Sequence, residues 1–213
     1  MNTDRTAGGA TPTARDKMLI AAALLFREKG VDATSFADVI ERSHAPRGSI
    51  YHHFPGGKAQ LAEEATRHAG TLMASMILDN LAASGPAETL SHIIDIFRRQ
   101  LRDTDFVAGC PVAAGALESG DFAETRKVAG EVFASWESLI SVALWQHGVE
   151  MARAQSLATT AVAAIEGAIL VSKARRSTDP LDRVDTELMI WLSAVTSAPT
   201  TRESAAAPAV DGD

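Results

Sequence analysis

Between Phe36 and Pro55 two short helical segments are separated by only three residues, Ser43-His44-Ala45, and no other feature constrains the chain as strongly. Phe36, Val39 and Ile40 give the first segment one apolar face. Ser35, with Asp38 three residues on, resembles a capping box at its start. Pro46 suits the first turn of the second segment, where its missing N–H costs nothing, and Pro55-Gly56-Gly57 stops it. Upstream, Leu19, Ala22, Ala23 and Phe26 recur at i, i+3, i+4 and i+7, and Gly30 ends that helix. Three helices of these lengths, the last two joined by a three-residue turn, make a helix-turn-helix unit with its motif at about 36–55.

Helical spacing continues downstream. Lys58 opens a long helix through about Leu81, and Leu90, Ile93, Ile94, Phe97 and Leu101 form the next stripe. Gly109-Cys110-Pro111 introduces a short helix to about Glu118. From Phe122 a long helix carries Val128, Val132, Trp136, Leu139, Ile140 and Ala143. Ala154 to Val171 is apolar nearly all round, which predicts burial on several sides. The last stripe is Val184, Leu188, Trp191, Leu192 and Val195. The reading is all-α, about nine helices and no strand. It divides into a tail at 1–12, a helix-turn-helix domain at 13–73, a second helical domain at 74–196 and a tail at 197–213.

The charge is uneven. Up to Lys58 there are eight basic and six acidic residues, net +2, whereas the remainder carries twelve and twenty-one, net −9. A mildly basic head on an acidic body suits contact with a polyanion at one end only. The single cysteine, Cys110, excludes an intramolecular disulfide and a cysteine-rich zinc site and points to a reducing cytoplasm. The first residues lack a signal-peptide core, and charges interrupt the apolar stretches short of a membrane span, so no membrane association is expected.

The third helix and its flanks carry the chemistry that reads DNA. Gly48 and Ser49 are small enough to let the backbone approach a major groove. Arg47, Ser49 and His52 supply donors for bases and phosphates near the helix start. Ile50 and Phe54 anchor the inner side, and Tyr51 offers a hydroxyl to a phosphate. Lys58 places a cation beside the N-terminal amides of the next helix, and Thr34 and Ser35 do the same service at the start of the second.

These residues carry a resemblance. The stretch 36–65, above all Gly48-Ser49-Ile50-Tyr51-His52-His53-Phe54 followed by Lys58, resembles the DNA-binding domain of the TetR/AcrR family over about 13–70. Pro55-Gly56-Gly57-Lys58, Gly109-Cys110-Pro111-Val112-Ala113-Ala114, Glu166-Gly167-Ala168-Ile169 and Arg176-Ser177-Thr178-Asp179-Pro180-Leu181 are similar to the LmrA/YxaF-type subgroup. The resemblance implies a homodimeric regulator whose C-terminal half takes a small, often apolar effector that releases operator DNA. It implies DNA contacts at Thr34, Ser35, Arg47, Gly48, Ser49, Tyr51, His52 and Lys58. Pro46 departs from it, standing where the family often has Ser or a similar cap, so the recognition helix is expected to start differently.

Other residues admit more than one role. Phe97, Cys110, Phe133 and Trp136 have core spacing, and the resemblance makes them candidates to line an effector pocket. Ile165, Ile169, Leu188, Trp191, Leu192 and Val195 fit either one completed core or a dimer interface of two helices from each subunit. Cys110 leaves two alternatives open, a thiol-based redox-sensing regulator and a small helical enzyme. His52 and His53 are adjacent, so they point about 100° apart and do not converge on a metal. Gly56-Gly57-Lys58 lacks the earlier Gly and the following Ser/Thr of a phosphate loop. No metal, cofactor or catalytic residue is expected.

Overall fold

The computed structural model describes residues 12–196, and its first two helices begin with reciprocal caps. Thr13 Oγ1 accepts the Asp16 N–H at 3.2 Å while the Asp16 carboxylate accepts the Thr13 N–H at 3.0 Å, which starts α1 (Ala14–Lys29). Ser35 and Asp38 repeat the arrangement at 3.2 and 2.7 Å to start α2 (Phe36–Ser43), so the shorter Asp closes the box as well as Glu would. Gly30 ends α1 at φ +87°, a conformation that favours a residue without Cβ. α2 ends instead on His44, held left-handed at φ +53°.

The second segment of the motif starts later than its sequence suggests. α3 spans Ser49–His53, not Pro46 onward. The Ser49 N–H and hydroxyl both reach the Pro46 carbonyl, at 3.0 and 2.7 Å, so Pro46 opens a single turn that leads into the helix. α4 (Gly57–Ser84), α5 (Pro86–Asp103), α6 (Pro111–Ala116), a 3-10 turn (Gly120–Phe122), α7 (Ala123–Gln146), α8 (Met151–Arg175) and α9 (Asp179–Thr196) follow. Among the described residues the architecture is nine α-helices with no strand.

Two apolar clusters organise them. α1, α2 and α3 pack Met18, Phe26, Val39, Ile50 and Phe54 against Leu61, Ala62 and Ala65 of early α4. Late α4 (Ile77) joins α5, α7, α8 and α9 in the larger cluster. Ala69 touches both, so the expected boundary at 73/74 falls inside a continuous helix. α4 and α7 approach closely at Gly70, where a Cβ would meet Val132 Cγ2 at 2.5 Å. Trp136 Nε1 donates to the bare Gly70 carbonyl at 3.1 Å and fixes the indole there. Arg98 ties α5 to α9 through Asp182 at 2.7 Å and Asp185 at 3.3 Å.

One expectation needs correction. α8 is long and apolar enough, by composition alone, to cross a membrane, with Glu166 near its middle. Its Leu157, Ala161, Ile165 and Ile169 stripe is buried in the core instead. It is also buried on fewer sides than predicted, since Leu170 and Val171 are exposed. The expected tails, apart from Pro12, and the Val195 side chain lie outside the described residues.

Candidate nucleic-acid interface and effector cavity

Ile50 and Phe54 are buried in the first cluster and turn the opposite side of α3 outward. Arg47, Gly48, Tyr51 and His52 are all exposed on that side, with Ser49 partly so. Tyr51 is 67% exposed, and its ring meets Phe36 edge-on at 5.4 Å, which holds the hydroxyl away from the body. A cleft between α2 and α3, lined by Phe36, Ile40, Glu41, Arg47 and Tyr51, lies beneath it. Lys58 Nζ donates to the Asp32 carbonyl at 2.6 Å and lies 5.3 Å from the Phe122 ring centre, so it straps the start of α4 to the loop before α2.

Two implied contacts read differently in the structure. Thr34 is buried, and its hydroxyl donates to the Gly30 carbonyl at 2.8 Å; it shapes the α1–α2 loop and presents no free donor. Ser35 is exposed, but its hydroxyl is committed to Asp38. Lys29 pairs with Asp38 at 2.7 Å, and together with the Ser35 bonds it holds that carboxyl well below the usual carboxylate range.

The second site lies between α4, α5, α7 and α8. Met73, Ile77, Leu90, Ile93, Phe97 and Trp136 enclose a cavity of about 340 Å³, completed by Ile140, Val162, Ile165 and Glu166. Phe97 and Trp136 are therefore on its wall, as expected. Phe133 is not; it packs edge-on against Trp136 at 5.4 Å. Cys110 lies outside the cavity, on a neighbouring groove that shares Met73, Phe97 and Trp136 with it. Its buried thiol is pushed up by desolvation and then by the adjacent Glu166. Glu166 is itself pushed up to about 7 by desolvation, opposed by its hydrogen bond with Cys110. Sequence spacing did not single out Glu166; the available signal was one carboxylate in an otherwise apolar helix.

The two sites are joined by polar contacts at the end of α1. Arg27 reaches Gln100 of α5, and Gln100 Nε2 donates to the Gly109 carbonyl at 2.8 Å. The Gly109 N–H donates back to the Arg27 carbonyl at 2.7 Å, and Lys173 of α8 approaches the same oxygen at 3.4 Å. Movement of the loop before α6 is thus felt directly by α1.

Of the expected interface residues, Ile165, Ile169, Leu188 and Leu192 are buried in the chain's own core and offer little to a partner. Their spacing reflects intrachain packing. Trp191 differs, at 44% exposed, and Leu170, Val171 and Ile190 are exposed on the same two helices.

This two-part arrangement has relatives. Residues 19–65 match the model of bacterial regulatory proteins of the tetR family. Residues 86–187 match that of the LmrA/YxaF-like transcriptional regulator C-terminal domain. The chain belongs to the TetR family. An uncharacterized HTH-type transcriptional regulator of Mycobacterium tuberculosis is 43% identical, covering 82% of this chain and 91% of that one. The HTH-type transcriptional regulator LmrA of Bacillus subtilis is 36% identical over 78% of this TetR-family chain and 90% of its own. A TetR transcriptional regulator from Legionella pneumophila, 20% identical, has the same fold, with a TM-score of 0.70 over 88% of this chain and 97% of that one. This TetR-family chain is therefore a transcriptional regulator, and both parts of the resemblance read in its sequence hold.

Proposed function

We propose that this TetR-family regulator is a cytoplasmic repressor that binds a palindromic operator as a homodimer and is released by a small, mainly apolar effector. The observation that carries the reading is the outward face of α3. Arg47, Gly48, Tyr51 and His52 stand exposed together on a helix whose other side is locked into the first cluster. In this reading Arg47, Ser49 and His52 meet base edges, while Tyr51, Lys58 and the α2 start at Ser35 meet phosphates. Thr34 contributes by fixing the loop.

One such helix reads only a half-site. Leu170, Val171, Ile190 and Trp191 on α8 and α9 offer an apolar face for a second copy, which supplies the other half-site about 34 Å away. Effector in the α4–α5–α7–α8 cavity favours a conformer with the wrong separation, transmitted through the Arg27–Gln100–Gly109 contacts. By linkage, operator DNA weakens effector binding by the same factor. Burial and the raised thiol pKa speak against Cys110 as a redox sensor or nucleophile, because the thiolate is the reactive form.

A gel-shift on the DNA upstream of the regulator's own gene tests the reading. A retarded complex is expected, lost at high salt, with its sequence preference changed by Arg47→Ala. An absent complex, or equal retardation of unrelated DNA, contradicts it.

A further inference from the structure

We infer that the effector is a lipophilic monocation, an apolar body carrying one ammonium group, with Glu166 as its counter-ion. The inference rests on reading the core cavity as the effector site. Its volume, about 340 Å³, falls within the range of small-molecule pockets. The walls from α4, α5 and α7 present Met73, Ile77, Leu90, Phe97, Trp136 and Ile140, none of them titratable. The one carboxylate, Glu166, enters from α8.

That carboxylate has no cation of its own among the described ion pairs. Its hydrogen-bonding neighbour is the Cys110 thiol, which is neutral. Glu166 also borders the groove between α1, α6 and α8, where Arg27, Glu28, Lys29, Glu118 and Lys173 lie. Lys173 and Arg27 are engaged there with each other and with Gln100, not with Glu166. A carboxylate in apolar surroundings is costly to ionise unless a cation arrives with the ligand. An anionic ligand would meet repulsion, and a neutral one would leave the ionised carboxylate without a counter-charge.

Two further features agree. The chain beyond Lys58 is net −9, which raises the local concentration of cations. Trp136, Phe97 and Met73, shared with the open groove, give a soft, polarisable wall on the side facing solvent.

The pH dependence has a definite sign. Glu166 titrates near 7, so the cation meets mostly a neutral acid at about pH 6 and mostly a carboxylate at about pH 8. Affinity for an amine that stays protonated across that range should rise about tenfold, with proton release on binding.

Calorimetry on the full chain with phenylbutylamine, phenylbutanol and phenylbutyrate tests the proposal. The amine is expected to bind, the alcohol at least roughly tenfold more weakly, and the carboxylate not measurably. Glu166→Gln, nearly isosteric, should remove both the preference for the amine and its pH dependence. Equal binding of amine and alcohol, or an amine preference that survives in Glu166→Gln, overturns the cation. Binding of none of the three, by a chain that still retards operator DNA, overturns both the cation and the cavity as effector site. Loss of DNA binding with intact amine binding counts against the operator reading alone.

Discussion

Glu166 couples the stability of the fold to pH. In the folded chain it holds its proton to about 7, against an ordinary value of 4.5. Between those values the folded state binds more protons than the unfolded one, so stability falls as pH rises through the window. The fall is on the order of 3 kcal/mol if the whole shift is realised. Asp38, depressed by Lys29 and Ser35, acts in the opposite sense and only at acid pH. Urea unfolding at about pH 5 and about pH 8 should therefore show a loss in the natural chain that Glu166→Gln largely abolishes. The same burial governs Cys110: alkylation by iodoacetamide should run roughly a hundredfold slower in the folded chain than in urea. A rate that matches the unfolded chain would restore the thiol as a sensor. At this scale the sequence was uneven as a guide. Arg47, Tyr51 and His52 were legible as exposed donors, because α3 is short and its anchors Ile50 and Phe54 are local. Thr34 was not, because its burial depends on the loop folding back onto Gly30.

The helices themselves were legible wherever an apolar stripe repeats at their period, and their ends were not. α8 begins at Met151 because the Glu150 carboxylate accepts the Ala152 and Arg153 N–H groups at 3.0 and 2.9 Å. The apolar pattern alone placed that start at Ala154. α3 begins at Ser49 because Pro46 makes a turn first. The cavity escaped sequence reading for a different reason: four helices contribute to it, and each wall residue has ordinary core spacing. The turn of the motif carries a testable strain. His44 is exposed and left-handed, a conformation that costs a residue with Cβ about 1 kcal/mol. His44→Gly should raise stability by roughly 0.5–1 kcal/mol in urea unfolding without changing operator affinity. A loss of stability would mean that the imidazole makes a contribution larger than the strain.

At the scale of the molecule, the two clusters share one helix, so reading head and effector cavity are mechanically joined by α4 and by the Arg27 contacts. The exposed apolar residues of α8 and α9 are the surface on which dimerisation depends in this account. Trp191→Asp should leave the chain folded, since the ring is 44% exposed, but shift sedimentation from dimer to monomer and lower operator affinity. A fully dimeric variant would move the interface elsewhere. The central claim is sequence-specific binding of two copies to one palindrome through α3. Fluorescence anisotropy of a labelled duplex from the regulator's own upstream region, titrated against a scrambled duplex over a range of salt, tests it most directly. The account predicts two chains per duplex, roughly a thousandfold preference over the scrambled sequence, and a salt slope that becomes shallower in Lys58→Ala. Equal affinity for both duplexes, or a single chain per duplex, would contradict it.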